Sequence, residues 1–226
     1  MSAHEHSHPD HDHDHAHDHH DHAHDPHAPI EDHDTVTESH ILEQALRELL
    51  IERGIFTAAE IHRQIDEQES RTSATGSRLV AKAWSDPEFR RRLVADPKPA
   101  IAEALGIDTA GMPELRVLEN TPEVHHVAVC TLCSCYPRAL LGVPPAWYKS
   151  SEYRGRAVRE PRKVLSEFGL ELPEHVSIRV VDSTADLRYL IIPMRPEGTE
   201  DYDEAALAAL VGRDSMIGTA LARAAA

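Results

Sequence analysis

The sequence is poor in cysteine and in aromatic residues, and it contains no long apolar run. Three of its 226 residues are cysteine and 4% are aromatic. No run approaches the roughly 18 apolar residues of a membrane-spanning helix, and the N-terminus lacks the charged-then-apolar pattern of a signal peptide. No basic stripe with interleaved aromatic residues indicates nucleic-acid binding. We therefore expect a cytoplasmic protein that binds neither membrane nor nucleic acid.

Negative charge is concentrated at the N-terminus. The formal net charge is -16, and the first 40 residues hold 11 of the 39 acidic residues but none of the 23 basic ones. Residues 41 onward therefore carry 28 acidic and 23 basic residues, a net charge of -5. That balance is ordinary for a globular protein, and the length suffices for one substantial domain with an appended arm.

The N-terminal segment is unusually rich in histidine. Residues 4–27 combine histidine with aspartate and have no apolar face. Such a segment cannot bury enough apolar surface to offset the entropy lost on ordering, so we expect residues 1–40 to be a disordered arm. Imidazole groups such as those of His11, His13 and His15 bind cobalt, nickel, zinc and copper. The arm is interpreted either as a tail that gathers metal or as a solvating tail or purification tag.

Helical patterns predominate over residues 41–110. Apolar residues in Ile41–Leu50 recur at helical spacing, and Gly54 ends the pattern. The run Thr57–Glu60 has the form of a capping box that begins a second helix. Residues 71–77 are expected to form a loop between helices. We expect residues 41–110 to be a helical arm that embraces a partner subunit, and packing against its own domain is the alternative.

The C-terminal half has the pattern of a mixed domain. Four runs rich in β-branched residues predict strands, namely Leu115–Leu118, Val124–Val129, Val176–Val181 and Leu187–Ile192. Helices are predicted near residues 161–168 and 203–211, and several prolines predict an irregular segment after residue 136. The expected fold is α+β, with an N-terminal helical arm followed by a mixed α/β domain over residues 111–226.

All three cysteines lie within six residues, Cys130 to Cys135, which we call the cysteine claw. A disulfide framework would spread its cysteines along the chain, and a structural zinc site would need a fourth ligand from a second pair. Only Ser134 separates Cys133 from Cys135, so both sulfurs can bind one ion only if the backbone curls around it. Three thiolates and two deprotonated amides favour Co(III) or Fe(III) and leave a sixth position open. A thiol redox switch and a zinc-binding triple remain alternatives on spacing alone.

The sequence around the claw resembles that of nitrile hydratase α subunits. The resemblance is carried by segments that include Val129–Pro137 (VCTLCSCYP), Leu141–Lys149 (LGVPPAWYK) and Arg213–Gly218 (RDSMIG). It extends from about Ile41 to the C-terminus. The resemblance implies the metal-binding catalytic subunit of a hydro-lyase that converts small nitriles to amides.

The resemblance also implies roles for the claw residues. Cys130, Cys133 and Cys135 would bind the metal through sulfur, and Ser134 and Cys135 would bind it through their amide nitrogens. Cys133 would be oxidised to sulfinate and Cys135 to sulfenate, states that free thiols reach as oxidation products. The residues implied to be catalytic are Cys135, Cys133 and Ser134.

A cofactor and partners follow from the same resemblance. Thr131 and Tyr136 match the cobalt-type pattern, so we expect one Co(III) per subunit rather than Fe(III). Members of the family pair with a β subunit, which donates arginines to the oxidised sulfurs, in an αβ heterodimer or a larger assembly. A metallochaperone or activator protein is expected to load the metal.

Arg138 departs from the nitrile hydratase pattern, in which a tryptophan is common at this position. The run Tyr136-Pro137-Arg138 and the histidine-rich N-terminus resemble the γ subunit of thiocyanate hydrolase, which carries the same claw. A cationic Arg138 would suit an anionic substrate such as thiocyanate, and a salt bridge on the outer side of the claw is its alternative role. A third hypothesis is a cobalt-handling protein that stores or passes the metal.

Two histidines, His125 and His126, precede the claw in a predicted strand. A strand places neighbouring side chains on opposite faces, so at most one of them can face the metal site. Their alternative role is that of ordinary strand residues near an interface. We expect no catalytic role for Asp182 or Tyr189, which recur in the family's strands.

Overall fold

The computed structural model describes residues 38–225, without the side chains of residues 67–69. The histidine-rich segment predicted to be disordered therefore lies outside the described residues, except for its last three. Those three, Glu38 to His40, form the start of the first helix.

Five helices make up the N-terminal part of the described chain: α1 (Glu38–Glu52), α2 (Ala58–Glu69), α3 (Ala74–Ser85), α4 (Pro87–Ala95) and α5 (Pro97–Leu105). Gly54, at φ 66°, follows α1 in the left-handed region that glycine tolerates best. The predicted capping box is present, since the Thr57 amide donates to Glu60 Oε2 at 2.8 Å and the Glu60 amide donates to Thr57 Oγ1 at 3.2 Å.

The prediction of a loop over residues 71–77 is wrong in its second half, because α3 begins at Ala74. Gly76 lies inside this helix and is buried. A Cβ atom at Gly76 would lie 2.8 Å from Leu141 Cδ2 and 2.8 Å from Met216 Sδ. The glycine is therefore a close-packing position rather than a helix stop, and contact with these two side chains offsets its poor helix propensity.

All four predicted strands are present: β1 (Glu114–Glu119), β2 (Val124–Val129), β3 (Ser177–Asp182) and β4 (Leu187–Ile192). They form two parallel pairs, β1 with β4 and β2 with β3. In the second pair Val129 lies opposite Asp182, and in the first Leu115 lies opposite Arg188. Parallel pairing brings the carboxyl ends of β2 and β3 to the same edge.

The segment after Pro137 is more helical than predicted. It forms α6 (Arg138–Leu141), α7 (Ala146–Lys149), α8 (Ser151–Arg159) and α9 (Pro161–Glu167), and the chain ends with α10 (Glu204–Leu210) and α11 (Arg213–Ile217). Helix α8 was not predicted. Its charged residues and Gly155 conceal the apolar face, which buries Tyr153 and Ala157, and the Ser150 hydroxyl caps it by accepting from the Tyr153 amide.

One large hydrophobic core joins helices from both halves of the chain to the strands, with members such as Leu79, Phe89, Ile101, Val117, Val129, Tyr153, Leu190 and Met216. Residues on both sides of position 110 therefore share one core. No described residue of α1 or α2 belongs to it, and α1 has no buried residue. The predicted α+β fold, with a helical N-terminal part and strands in the C-terminal half, is confirmed.

Helix α11 packs tightly against β2 through Gly218. The φ of Gly218 is 93°, and a Cβ atom there would lie 1.9 Å from the carbonyl oxygen of His126. His125 Nε2 donates to the Gly218 carbonyl oxygen at 2.7 Å. These contacts fix the strand that leads into the claw. Within the described residues, no helix is long and apolar enough to cross a membrane.

Candidate metal centre

The cysteine claw begins where β2 ends. Val129 is the last residue of β2, and its carbonyl oxygen accepts a hydrogen bond of 2.7 Å from the amide of Ser183, just beyond β3. The chain therefore leaves the sheet at a point fixed by both strands. Side chains at the carboxyl ends of parallel strands commonly form functional sites, because the loops that follow meet there.

The three cysteine sulfurs converge. The Sγ atoms of Cys130 and Cys133 are 3.5 Å apart, those of Cys133 and Cys135 are 3.2 Å apart, and all three lie within 4.8 Å of one another. None of the three forms a disulfide. Cys130 is buried, Cys133 is exposed and Cys135 is half-buried. Convergent thiols of this kind fit a transition metal that prefers sulfur ligands.

The backbone curls around the sulfurs as the spacing predicts. The Cys133 amide donates to Cys130 Sγ at 3.3 Å. The amides of Ser134 and Cys135 lie against the Cys133 sulfur, where their hydrogen bonds contribute to lowering its pKa. The backbone of both residues proposed as amide ligands is thus turned towards the sulfur cluster.

The thiols differ strongly in acidity. Hydrogen bonds from the thiols of Cys135 and Cys130 lower the pKa of Cys133 to about 7, compared with 9.0 for an ordinary thiol here. Burial raises the pKa of Cys135 to about 12, and the hydrogen bond to Cys133 adds to that increase. Of these two thiols, Cys133, the exposed one, therefore loses its proton first.

Three side chains hold the backbone of the claw. The Asp182 carboxylate accepts from the Thr131 amide at 2.9 Å and from the Thr131 hydroxyl at 2.6 Å. Arg154 Nη1 donates to the Leu132 carbonyl at 3.0 Å, and the Tyr148 hydroxyl donates to the Cys135 carbonyl at 2.9 Å. No role was expected for Asp182, and only its place at the end of a strand paired with β2 could have suggested one.

His125 and His126 do not contribute to the sulfur cluster. His125 donates to Gly218 and its Nδ1 accepts from Asn120 Nδ2 at 3.1 Å. The His126 amide donates to Asn120 Oδ1 at 2.8 Å. Burial lowers the pKa of both imidazoles. They are structural residues of β2, as the alternative interpretation held.

A cavity of about 420 Å³ opens beside the claw. Cys133, Ser134 and Cys135 lie in its wall, whereas buried Cys130 does not. Arg138, which departs from the nitrile hydratase pattern, lines the same cavity. The arrangement places the open side of a sulfur cluster against a space large enough for a small substrate.

Three convergent thiols at the edge of parallel strands, beside a substrate-sized cavity, fit the class of metal-dependent enzymes. Residues 37–220 match the family described as nitrile hydratase, alpha chain. The chain belongs to this family.

Two curated relatives illustrate the range of the family. The α subunit of a cobalt-containing nitrile hydratase from Pseudonocardia thermophila is 48% identical over 183 residues, which cover 80% of this chain and 89% of the relative. The γ subunit of thiocyanate hydrolase from Thiobacillus thioparus is 46% identical over 199 residues, which cover 83% of this chain and 82% of the relative. The predicted family and the prediction of an enzyme are confirmed.

Solved structures of the same fold come from both kinds of enzyme. A recombinant thiocyanate hydrolase with partially modified cobalt centres has a TM-score of 0.74 at 44% identity, covering 85% of this chain and 95% of that one. A double mutant of the Fe-type nitrile hydratase from Comamonas testosteroni Ni1 has a TM-score of 0.77 at 43% identity, covering 84% of this chain and 96% of that one. Cobalt and iron enzymes thus share this chain's architecture.

The acidity of Cys133 predicts its chemical behaviour in the metal-free chain. The thiolate is the nucleophile, so the rate of alkylation by iodoacetamide should rise from pH 6 to pH 8 with a midpoint near 7. Peptide mapping should place the label on Cys133. Cys135→Ala removes the hydrogen-bond donor at this position and should move the midpoint upward. A midpoint near 9 in the unaltered chain would contradict the hydrogen-bonded cluster.

Asp182→Asn tests how the claw is held. Asparagine keeps the shape of the side chain but removes its charge, so the charge-assisted hydrogen bonds to the Thr131 amide and hydroxyl become neutral ones; a loss of about 1 kcal/mol makes the ordered loop about fivefold less favoured. Cobalt per chain, measured by mass spectrometry after growth in limiting cobalt, should fall while the unfolding midpoint changes little. Asp186→Asn, on the turn between β3 and β4, is the control. Equal cobalt in the two variants would show that Asp182 does not position the claw.

Proposed function

We propose that the chain is the metal-binding α subunit of a nitrile hydratase, which hydrates small nitriles to amides. The observation that carries the proposal is the convergence of three thiols within 4.8 Å at the wall of a cavity. Family membership and the similarity to cobalt-containing nitrile hydratase subunits support it.

The proposed ligands are the sulfurs of Cys130, Cys133 and Cys135 and the amide nitrogens of Ser134 and Cys135. This donor set favours a strongly bound trivalent ion, and we assign Co(III) rather than Fe(III), one per subunit. When bound, such an ion supplies Lewis acidity that polarises a nitrile. Thr131 and Tyr136 occupy positions that match the cobalt-type pattern.

The side chains of the claw are proposed to supply the nucleophile and to position the attacking water. Cys130 is buried and is proposed to stay a thiolate, whereas Cys133 and Cys135 reach the cavity and are proposed to be oxidised to sulfinate and sulfenate. The sulfenate oxygen of Cys135 would either attack the nitrile carbon or take a proton from the water that attacks it. Ser134 lines the cavity between them, where its hydroxyl can orient that water.

A β subunit is the proposed partner. The outer side of the claw is open, since Cys133 is exposed and Leu132 is 85% exposed. Helices α1 and α2 also expose apolar side chains, including Leu42 at 67% and Ile55, just beyond α1, at 69%. Exposed apolar surface of this kind is typical of protein interfaces. We therefore retain the proposal that the helical arm embraces the β subunit and that a metallochaperone or activator protein loads the metal in the cytoplasm.

Thiocyanate hydrolase γ subunit is the second candidate function. Arg138 lines the cavity beside Cys133 and Cys135, where a cation would suit the thiocyanate anion. The identity to the Thiobacillus γ subunit, 46%, nearly equals the 48% found with the Pseudonocardia α subunit. A cobalt-handling role has no such support, because exchange-inert Co(III) is a poor metal donor.

The histidine-rich arm is proposed to gather metal for the claw. Deletion of residues 4–27 should lower cobalt occupancy when the complex is expressed in limiting cobalt, because fewer imidazoles then concentrate the ion. Activity per bound cobalt should be unchanged, since the arm lies outside the claw. Equal cobalt occupancy of the full chain and the deletion variant at every cobalt concentration would show that the arm does not gather metal and would leave only the solvating or tag interpretation.

The function is tested on the cobalt-loaded complex, co-expressed with its β subunit. Propionitrile should yield propionamide, and thiocyanate should not yield carbonyl sulfide. Cys133→Ala and Cys135→Ala should each remove bound cobalt and activity together, because each deletes a proposed sulfur ligand. Carbonyl sulfide from thiocyanate would select the second candidate. Full activity in either alanine variant would exclude the claw as the active site, and bound cobalt without either product would favour metal handling.

A further inference from the structure

An arginine of β4 lies beside the claw without an acidic partner. Arg188 lines the same cavity as Cys133 and Cys135. It is paired in register with Leu115, another residue of the cavity wall, and paired residues of adjacent strands share one face of the sheet. Within the described chain, no carboxylate forms a salt bridge with Arg188. The sheet therefore directs a cation towards the claw and supplies no carboxylate to balance it.

The guanidinium group of Arg188 is only partly hydrogen-bonded. Its Nη1 donates to the carbonyl oxygens of Thr184 and Leu187, the second at 3.2 Å. Its Nε is buried and has no hydrogen-bond partner among the described residues. A buried donor without an acceptor costs free energy, and native proteins keep few such donors. The metal-free chain thus holds a buried donor that lacks an acceptor.

The charge of Arg188 acts on the claw at Cys135. Burial raises the pKa of the Cys135 thiol to about 12, and the Arg188 guanidinium opposes that increase. Burial also raises the pKa of Tyr148, and Arg188 again opposes the increase. The Tyr148 hydroxyl donates to the Cys135 carbonyl oxygen at 2.9 Å. Arg188 is therefore within electrostatic reach of Cys135 and of the side chain that holds the Cys135 backbone.

The ligands proposed for the claw carry more negative charge than their metal neutralises. Three sulfur ligands and two deprotonated amides each contribute one negative charge, whereas a trivalent ion supplies three positive charges. The assembled centre is therefore anionic. Its ligand Cys130 is buried, and negative charge in a buried position is unfavourable without a cation nearby. A guanidinium group without a carboxylate partner, in the wall of the same cavity, is suited to that task.

We propose that Arg188 is a positioning residue that acts through Cys135 and supplies, from within this chain, a cation that balances the anionic metal centre. The inference rests on the proposed function, because it assumes the five ligands proposed there. In the metal-free chain the guanidinium group has no counter-ion, and assembly of the centre supplies one. Arg188 should therefore stabilise the metal-loaded state and contribute little to the stability of the metal-free one.

Two substitutions separate the charge of Arg188 from its shape. Arg188→Gln removes the cation, whereas Arg188→Lys keeps it and loses the planar guanidinium group. In αβ complexes grown in limiting cobalt, cobalt per chain should fall about fivefold in Arg188→Gln, as expected for loss of one partly solvated ion pair, and no more than about twofold in Arg188→Lys. Mass spectrometry measures both values. Equal losses in the two variants would show that charge is not the cause and would overturn the proposal.

Absorption spectroscopy and thermal unfolding distinguish charge balance from a structural role. Normalised to bound cobalt, the sulfur-to-cobalt charge-transfer band should shift to longer wavelength in Arg188→Gln, because removal of a nearby cation raises the energy of the sulfur electrons. The band should keep its position in Arg188→Lys. The unfolding midpoint of the metal-free complex should not fall in Arg188→Gln, since the substitution removes an unsatisfied buried donor. An unshifted band with a lower midpoint would assign Arg188 to the fold alone and overturn the proposal.

Arg116→Gln is the matched control. Arg116 is an exposed residue of β1 whose side chain points away from that of its neighbour Leu115 in the cavity wall. The control removes the same charge from the chain but not from the cavity, so cobalt per chain and the position of the band should be unchanged. Equal effects of Arg116→Gln and Arg188→Gln would attribute the changes to net charge and overturn the proposal.

Activity separates this inference from the proposed function. Hydration of propionitrile by the unaltered complex, with no change of cobalt content or spectrum in Arg188→Gln, overturns the inference and leaves the proposed function standing. Loss of cobalt and a shifted band in Arg188→Gln, when the unaltered complex hydrates no nitrile, support charge balance at the claw and overturn the proposed function.

Discussion

The candidate metal centre depends on the parallel pairing of β2 with β3. The register sets Val129 opposite Asp182, so the strand that leads into the claw ends beside a carboxylate that accepts from both the amide and the hydroxyl of Thr131. A shift of one residue would turn Asp182 to the other face of its strand and remove both hydrogen bonds. The close contact of Gly218 with His126 holds the same strand from the other side.

Charge is distributed unevenly along this chain. The N-terminal 40 residues carry 11 acidic groups, whereas the cavity beside the claw is lined by arginines and by no carboxylate among the described residues. Asp182 lies close to the claw, yet its oxygens are occupied by Thr131 and it does not line the cavity. The acid near the site therefore holds the Thr131 backbone and hydroxyl, and the basic or acidic side chains among the described residues of the cavity wall are arginines.

Features encoded locally were predictable from the sequence, and those that depend on distant contacts were not. The capping box at Thr57 and the strand Val124–Val129 follow from neighbouring residues, and so does the clustering of the three thiols. Gly76 was misassigned to a loop because its partners are far along the chain. Asp182 was overlooked for the same reason, since 51 residues separate it from Thr131.

The surrounding fold holds the backbone of the claw, whereas the three sulfurs contact groups of the claw itself. Asp182, Arg154 and Tyr148 bond to main-chain groups of the claw, and to the Thr131 hydroxyl, but the hydrogen bonds of the sulfurs stay within the claw. The sulfurs are therefore held in place by the backbone and remain available to bind a metal, as a metal site requires of its ligands. Cys133 is exposed on the outer side of the claw in the described chain, and this is the side that the proposed β subunit would cover.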